Sequence, residues 1–322
     1  MHVDWLVFFQ RTYPSANQVL IRGRRPILVD TGFGSDIEAT LDLLRRADMP
    51  PDGLELVVNS HYHGDHSGGN HGLQRRFGLP LAAHALDAEL INRRDPAACM
   101  AEWLDQPVEP YRVQRPLEDG EELDAGGIRL RVLHTPGHSR GHICLYAERE
   151  QLLICGDAVH SDDVAWVNPF TEGEDALERT VASLERLAAL PVRRACSGHG
   201  PPIDDPAAAF STALHRYERW RKDPQRMGWH ACKRIFAYHL MLTGGMEPGA
   251  IGPYLVQQGW FTDYSRHIFG LEPAEFVEPL LAELARSGAT AERDGRIVAL
   301  TAHNVPATGW PAGPGRVRDW PG

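Results

Sequence analysis

Between positions 61 and 66 the chain reads His61-Tyr62-His63-Gly64-Asp65-His66, three imidazoles and a carboxylate in six residues. Ahead of them Leu54-Glu55-Leu56-Val57-Val58-Asn59 is apolar enough for a short buried strand, and behind them Gly68-Gly69 suits a tight turn. An extended backbone sends the side chains of residues 61 and 63 to one face. Asp65 and His66 follow where the chain turns, so they approach from another side. Neutral imidazole and ionised carboxylate are standard ligands of zinc and similar divalent ions. A lone histidine is ordinarily solvated or a hydrogen-bonded core residue. This cluster, at this spacing after a strand, reads as the start of two adjacent metal sites.

The pattern recurs. A strand over 128–133 runs into Thr135-Pro136-Gly137-His138-Ser139-Arg140-Gly141-His142, a strand over 152–155 ends in Gly156-Asp157, and Arg194-Ala195-Cys196 leads to Ser197-Gly198-His199-Gly200. Each time a His or Asp sits on a glycine-rich loop just past a strand. Loops at strand ends let a rigid sheet gather residues distant in sequence around one site. Ile27-Leu28-Val29 also ends in an acid, Asp30, for which turn capping is the preferred reading over support of the ligands. His160 is read as a solvated loop histidine in preference to one that touches substrate or moves a proton. Residues 94–119 carry four prolines and weak periodicity, and are expected to form a long loop or short helices covering the site. For Trp103 and Tyr111 within it, ordinary packing is at least as good a reading as contact with substrate.

Strands are also expected over 3–9, 17–22, 79–83 and 143–146, and helices over 36–47, 70–77, 85–93 and 174–190. The 322 residues are 43% hydrophobic and 24% charged, which is ordinary for a globular protein with a real core. The net charge of −10 is unevenly placed: residues 1–210 hold 20 Lys+Arg against 32 Asp+Glu, and residues 211–322 hold 13 against 11. An acidic half disfavours nonspecific attraction to nucleic acid, and bound cations would offset part of its charge. Five separated cysteines form no disulfide framework. The first ten residues lack the basic start of a signal peptide and no apolar run is long enough to span a bilayer, so a cytoplasmic location is expected.

With the four loops assembled, the chain resembles the metallo-β-lactamase-fold hydrolase superfamily over residues 1 to about 205. The resemblance is closest to its glyoxalase II-like and β-lactamase-like protein 2-like branches. It implies an α/β fold, an αββα sandwich of two facing mixed sheets with helices outside and the site at one edge. It also implies that His61, His63 and His138 hold one metal, that Asp65, His66 and His199 hold a second, and that Asp157 bridges them. The implied cofactors are two divalent ions, zinc first, with iron or manganese as alternatives. Two such ions can share a water, lower its pKa and polarise an electrophile. The implied function is hydrolysis of a small thioester, ester or lactone, with Asp65 also orienting the nucleophile. His142 takes a supporting role. Asp157, where the antibiotic-degrading members usually have Cys or Ser, counts against that activity.

The domain reading is a hydrolase domain over 1–208, a smaller helical domain over 209–304 and a flexible tail over 305–322. Helices are expected over 211–227, 231–242, 247–258, 265–270 and 273–286, followed by a hairpin centred on Asp294-Gly295. Helices before a hairpin resemble a winged helix. Glu275, Glu278 and Glu283 on the 273–286 helix argue against DNA reading, so this part is expected to pack on the hydrolase, wall the cleft or pair two copies into a homodimer. The expected partner is a small-molecule substrate, not nucleic acid or a membrane. The alternatives are a metal-dependent ribonuclease, an iron-dependent oxidoreductase on the same fold, and a ligand-sensing DNA-binding regulator.

Overall fold

The computed structural model of the chain describes residues 2–306. Short apolar strands build two sheets. The first contains β1 (His2–Val3), β2 (Leu6–Phe9), β3 (Gln18–Ile21), β4 (Ile27–Val29), β5 (Leu56–Val58), β6 (Leu81–His84) and β7 (Arg115–Leu117), in that order. Its pairs are antiparallel as far as β4 and parallel from β4 to β7. The second contains β8 (Glu122–Asp124), β9 (Arg129–His134), β10 (Ile143–Ala147), β11 (Leu152–Gly156) and β12 (Arg194–Ser197), antiparallel except for the β11–β12 pair.

Period-two alternation assigns side chains to layers. Val19, Ile21, Ile27, Val29 and Val58 meet Leu130, Val132, Ile143, Leu145 and Ile154 between the sheets. Leu20, Leu28, Val57 and Leu81 point the other way. There they pack with α1 (Ile37–Arg46), α3 (Asn70–Phe77), which follows the single turn α2 (Gly64–Ser67), α4 (Ala85–Asn92) and α5 (Ala101–Leu104). Leu133, Cys144, Tyr146, Leu153 and Cys155 carry α6 (Ala176–Ala188) and α7 (Pro206–Lys222) on the far side of the second sheet. Each fully buried aliphatic side chain stabilises this arrangement by about 1.5–3 kcal/mol. The architecture is the expected αββα sandwich.

The C-terminal region is α8 (Pro224–Thr243), α9 (Pro248–Leu255), α10 (Gly259–Tyr264), a π-helical turn (Ser265–Phe269), α11 (Pro273–Arg286) and a hairpin of β13 (Thr290–Arg293) and β14 (Arg296–Ala299). Asp294 and Gly295 both have positive φ, 51° and 74°, as a two-residue hairpin turn of the primed type requires. Phe236, Leu240, Trp260 and Phe276 belong to the same apolar cluster as Leu28, Phe33 and Leu104, so the helices pack directly on the sandwich.

The structure corrects the sequence reading of secondary structure at the 227–231 break and near residue 116. The helix break expected between 227 and 231 falls at Asp223, because Pro224 excludes the helical conformation from the residue before it. Gly228 continues α8, and a Cβ there would lie 2.8 Å from the Ile268 side chain. The stretch read as loop ends in a strand, β7, whose Pro116 is tolerated because β7 is an edge. All five cysteines are buried and free. Among the described residues no helix is long and apolar enough to cross a membrane. The tail expected over 305–322 lies outside the described residues except for 305 and 306.

Candidate metal centre

The seven residues singled out in sequence converge at one end of the sandwich. Their donor atoms form three overlapping groups, His61/His63/His138, His61/His66/Asp157 and Asp65/His66/His199, with the atoms in each group within 4.8 Å of one another. The Asp157 carboxylate sits among them. Its Oδ1 is 3.3 Å from His66 Nε2, and its Oδ2 is 3.7 Å from His138 Nε2 and 3.6 Å from His199 Nε2. Asp65 Oδ2 lies 3.1 Å from His199 Nε2.

Backbone bonds tie the loops together. Thr31 N–H donates to His66 O at 2.7 Å, Ile143 N–H to Ser60 O at 2.8 Å and Gly198 N–H to Gly156 O at 2.7 Å. Gly198 is required by close approach, since a Cβ there would stand 2.2 Å from Asp157 Oδ1 and 2.7 Å from His66 Cε1.

Second contacts aim the rings. His138 Nδ1–H donates to Trp166 O at 2.9 Å, which leaves Nε2 as its free lone pair. Asp30 is not a turn cap. Its carboxylate accepts from Ser60 N and Ser60 Oγ, both at 2.8 Å, and holds His66 Nδ1 at 2.8 Å, turning His66 Nε2 into the cluster. His142 places Nδ1 2.8 Å from Thr135 Oγ1, and its Nε2 accepts from Asp157 N–H at 3.1 Å. His160 is not solvated but buried, with Nδ1 2.6 Å from Ser197 Oγ and its ring 5.7 Å from that of His199.

Tyr111 is buried in the core. Trp103 donates to Asp263 Oδ2 at 2.7 Å and lies 6.2 Å from Trp166, which in turn stacks on His63 at 5.5 Å. Sequence reasoning did not single out Trp166. It also missed Tyr13, whose ring stacks on His199 at 4.8 Å and 15°. A lone aromatic on a loop carries no local signal of such a contact.

The protonation states of His61, His63, His138 and Asp157 suit cations. Burial, reinforced by neighbouring imidazoles, holds His61 and His63 well below the ordinary histidine range, and burial lowers His138, so all three are neutral ligands at neutral pH. Burial works against the Asp157 charge, but His199 and His66 outweigh it and hold the carboxyl well below its usual range. His66 is opposite: burial lowers it, while Asp157, Asp65 and Asp30 together raise it well above the ordinary value. His63 Nε2, His66 Nε2, His138 Nε2 and Asp157 Oδ1 are buried with no hydrogen-bond partner. Four orphaned buried donors and acceptors in one cluster, of histidine and carboxylate type, fit divalent metal binding.

Residues 11–199 of the chain match a known family, described as the metallo-beta-lactamase superfamily. The chain belongs to that superfamily. Among curated relatives, acyl-coenzyme A thioesterase MBLAC2 of Gallus gallus is 31% identical over 207 residues, 56% of this chain and 70% of that protein. An atrochrysone carboxyl ACP thioesterase of Cryptosporiopsis sp. (strain 8999) is 26% identical over 276 residues, 84% of this chain and 74% of that protein. A metallo-beta-lactamase family protein of Thermus thermophilus superposes with a TM-score of 0.59 at 26% identity, covering 92% of this chain and 99% of that one. Relatives of this superfamily member are thus named as thioesterases, and it is a hydrolase of that fold.

A cavity of about 500 Å³ opens on the cluster. His63, Asp65, His138, Asp157, His160 and His199 form one wall. Arg216 of α7, with Lys233, Arg234 and Tyr238 of α8, forms the other.

Proposed function

We propose that this protein is a dinuclear, zinc-dependent thioesterase acting on a small acyl thioester. The observation that carries the reading is the convergence of seven buried or half-buried ligand-type residues in one cluster, five of which line a 500 Å³ cavity, a size that suits a small ligand. Two relatives named for thioester hydrolysis support the substrate class.

His61, His63 and His138 would hold one ion and Asp65, His66 and His199 the other, with the Asp157 carboxylate lying between the two groups. Bound divalent metal supplies a water of lowered pKa and polarises the thioester carbonyl. Asp65 and Asp157, which line the cavity, would orient a water toward the carbonyl carbon. Trp166 and Tyr13, packed on His63 and His199, limit the directions from which an acyl group can enter. Water adds to the carbonyl, the C–S bond breaks, and a carboxylic acid and a thiol leave. The C-terminal helices wall the pocket, and neither nucleic acid nor a membrane takes part.

The test is release of free thiol from an acyl thioester by zinc-loaded protein, beside an Asp157→Ala control and single-stranded RNA. Thiol release lost in the control, with RNA intact, is the expected result. RNA cleavage lost in the control would overturn the reading.

A further inference from the structure

Arg216 Nη1 and Arg234 Nη2 both pair with the carboxylate of Asp163, one on each oxygen. All three line the cavity and are about one-third exposed at their side chains, 33%, 34% and 30%. Two guanidinium groups on one carboxylate leave one positive charge unmatched. Lys233 pairs at 2.8 Å with Glu283, a carboxylate it shares with the exposed Arg286. Asp162, the remaining acid on this wall, is exposed and accepts from Ser161 Oγ at 3.2 Å. The lining of this wall thus carries three cations, Arg216, Lys233 and Arg234, against two carboxylates, Asp162 and Asp163.

Asp163 holds the pair in place, and Arg234 Nε lies 3.0 Å from His230 Nε2, which also stands 3.0 Å from Val164 O. The Arg234 charge opposes the upward push that burial gives the Tyr13 hydroxyl, and the Tyr13 ring lies on His199. One aromatic side chain thus separates a fixed guanidinium from the metal-ligand cluster. Guanidinium groups bind carboxylates and phosphates through paired N–H bonds.

We propose that Arg216 and Arg234 form a subsite for a substrate carboxylate carried a few bonds from the scissile thioester. The proposal rests on the thioesterase reading for its scissile group. Distance selects carboxylate over the phosphate of a pantetheine arm. With covalent bonds of about 1.5 Å, that phosphate stands roughly 15 Å from the thioester sulfur when extended, whereas Arg234 is one side chain from the cluster. Asp163 holds the two forks in register until the ligand takes the open side of the pair.

The experiment has a binding arm and a turnover arm. In calorimetry with zinc-loaded protein, glutarate is expected to bind about tenfold or more tightly than butyrate, and Arg234→Gln or Arg216→Gln to reduce that ratio toward one. The butyrate value in each variant reports whether the cluster is still assembled. Equal binding of the two acids by the unaltered protein overturns the subsite, whatever the turnover results.

In turnover, S-glutaryl-N-acetylcysteamine or S-butyryl-N-acetylcysteine is expected to exceed S-butyryl-N-acetylcysteamine in kcat/KM by a similar factor, mainly through KM. The first places the carboxylate on the acyl half and the second on the thiol half. Arginine variants that impair S-butyryl-coenzyme A but leave these ratios intact would make phosphate the ligand and overturn the proposal. If no thioester is hydrolysed, the thioesterase reading fails, and the calorimetry still decides the subsite.

Discussion

Asp30 Oδ2 lies 2.8 Å from His66 Nδ1, and the same carboxylate takes both the N–H and the hydroxyl of Ser60. One acid at the end of β4 therefore fixes the ring of one ligand and the backbone that enters the 61–66 loop. Asp30→Asn keeps the shape and removes the charge that makes His66 a stronger donor. Metal affinity is expected to fall about 10–100-fold, measured by competition with a chromogenic chelator. Unchanged affinity would mean that Asp30 supports only the backbone.

Tyr62 stands between two ligands and points the other way. Its hydroxyl donates to Glu172 Oε1 at 2.5 Å, and Glu172 Oε2 accepts from Arg140 N at 2.6 Å, two residues past His138. A buried carboxylate thus couples two ligand loops. Burial pushes the Glu172 carboxyl up, and the Tyr62 hydroxyl and the Arg140 amide pull it back. Tyr62→Phe removes one of these partners while filling nearly the same space. A loss of about 1–3 kcal/mol in urea unfolding is expected, and a loss below the error of the measurement would show that water replaces the hydroxyl.

Gly198 makes the Asp157 carboxylate fit. A methyl group there would stand 2.2 Å from Asp157 Oδ1, well inside contact distance, so Asp157 must move. Gly198→Ala is expected to lower the metal content of purified protein by elemental analysis while leaving its far-ultraviolet circular dichroism in place. Full metal content in the alanine variant would show that β12 and its loop shift instead.

Much of this site was legible because its ligands sit in local patterns. His61, His63 and His66 follow a strand within six residues, and His138, Asp157 and His199 each follow one on a glycine-rich loop. The sandwich was legible for the same reason, since most of its strands are short apolar runs bounded by turns and loops. What the sequence hid is tertiary. Asp30 looks like a turn residue until β4 and β5 lie side by side and bring it to Ser60 and His66. His160 looks like a loop histidine until β12 brings Ser197 to it. Arg216 and Arg234 sit on different helices and meet only through Asp163. Asp223 ended a helix because of the proline after it, a signal present in the sequence.

His160 offers a pH test of its burial. Burial pushes it down to about 3, with the Asp157 charge pulling the other way, whereas an unfolded histidine titrates near 6.5. Between those values the unfolded chain binds a proton that the folded chain refuses. Stability carried by this group is therefore present above about 6.5 and is lost as pH falls below it, by about 1.4 kcal/mol per pH unit. Other groups tilt the total. His142, also held near 3 by burial, acts in the same direction. The buried carboxyls of Asp87 and Glu172, both raised chiefly by burial, act in the opposite one. Comparing metal-free unaltered protein with His160→Gln removes these shared contributions. From pH 6.5 to 5.0 the unaltered protein is expected to lose roughly 1–2 kcal/mol more than the variant in urea unfolding. Parallel losses in the two proteins would mean that His160 takes up its proton while folded, which requires the Ser197 contact to open.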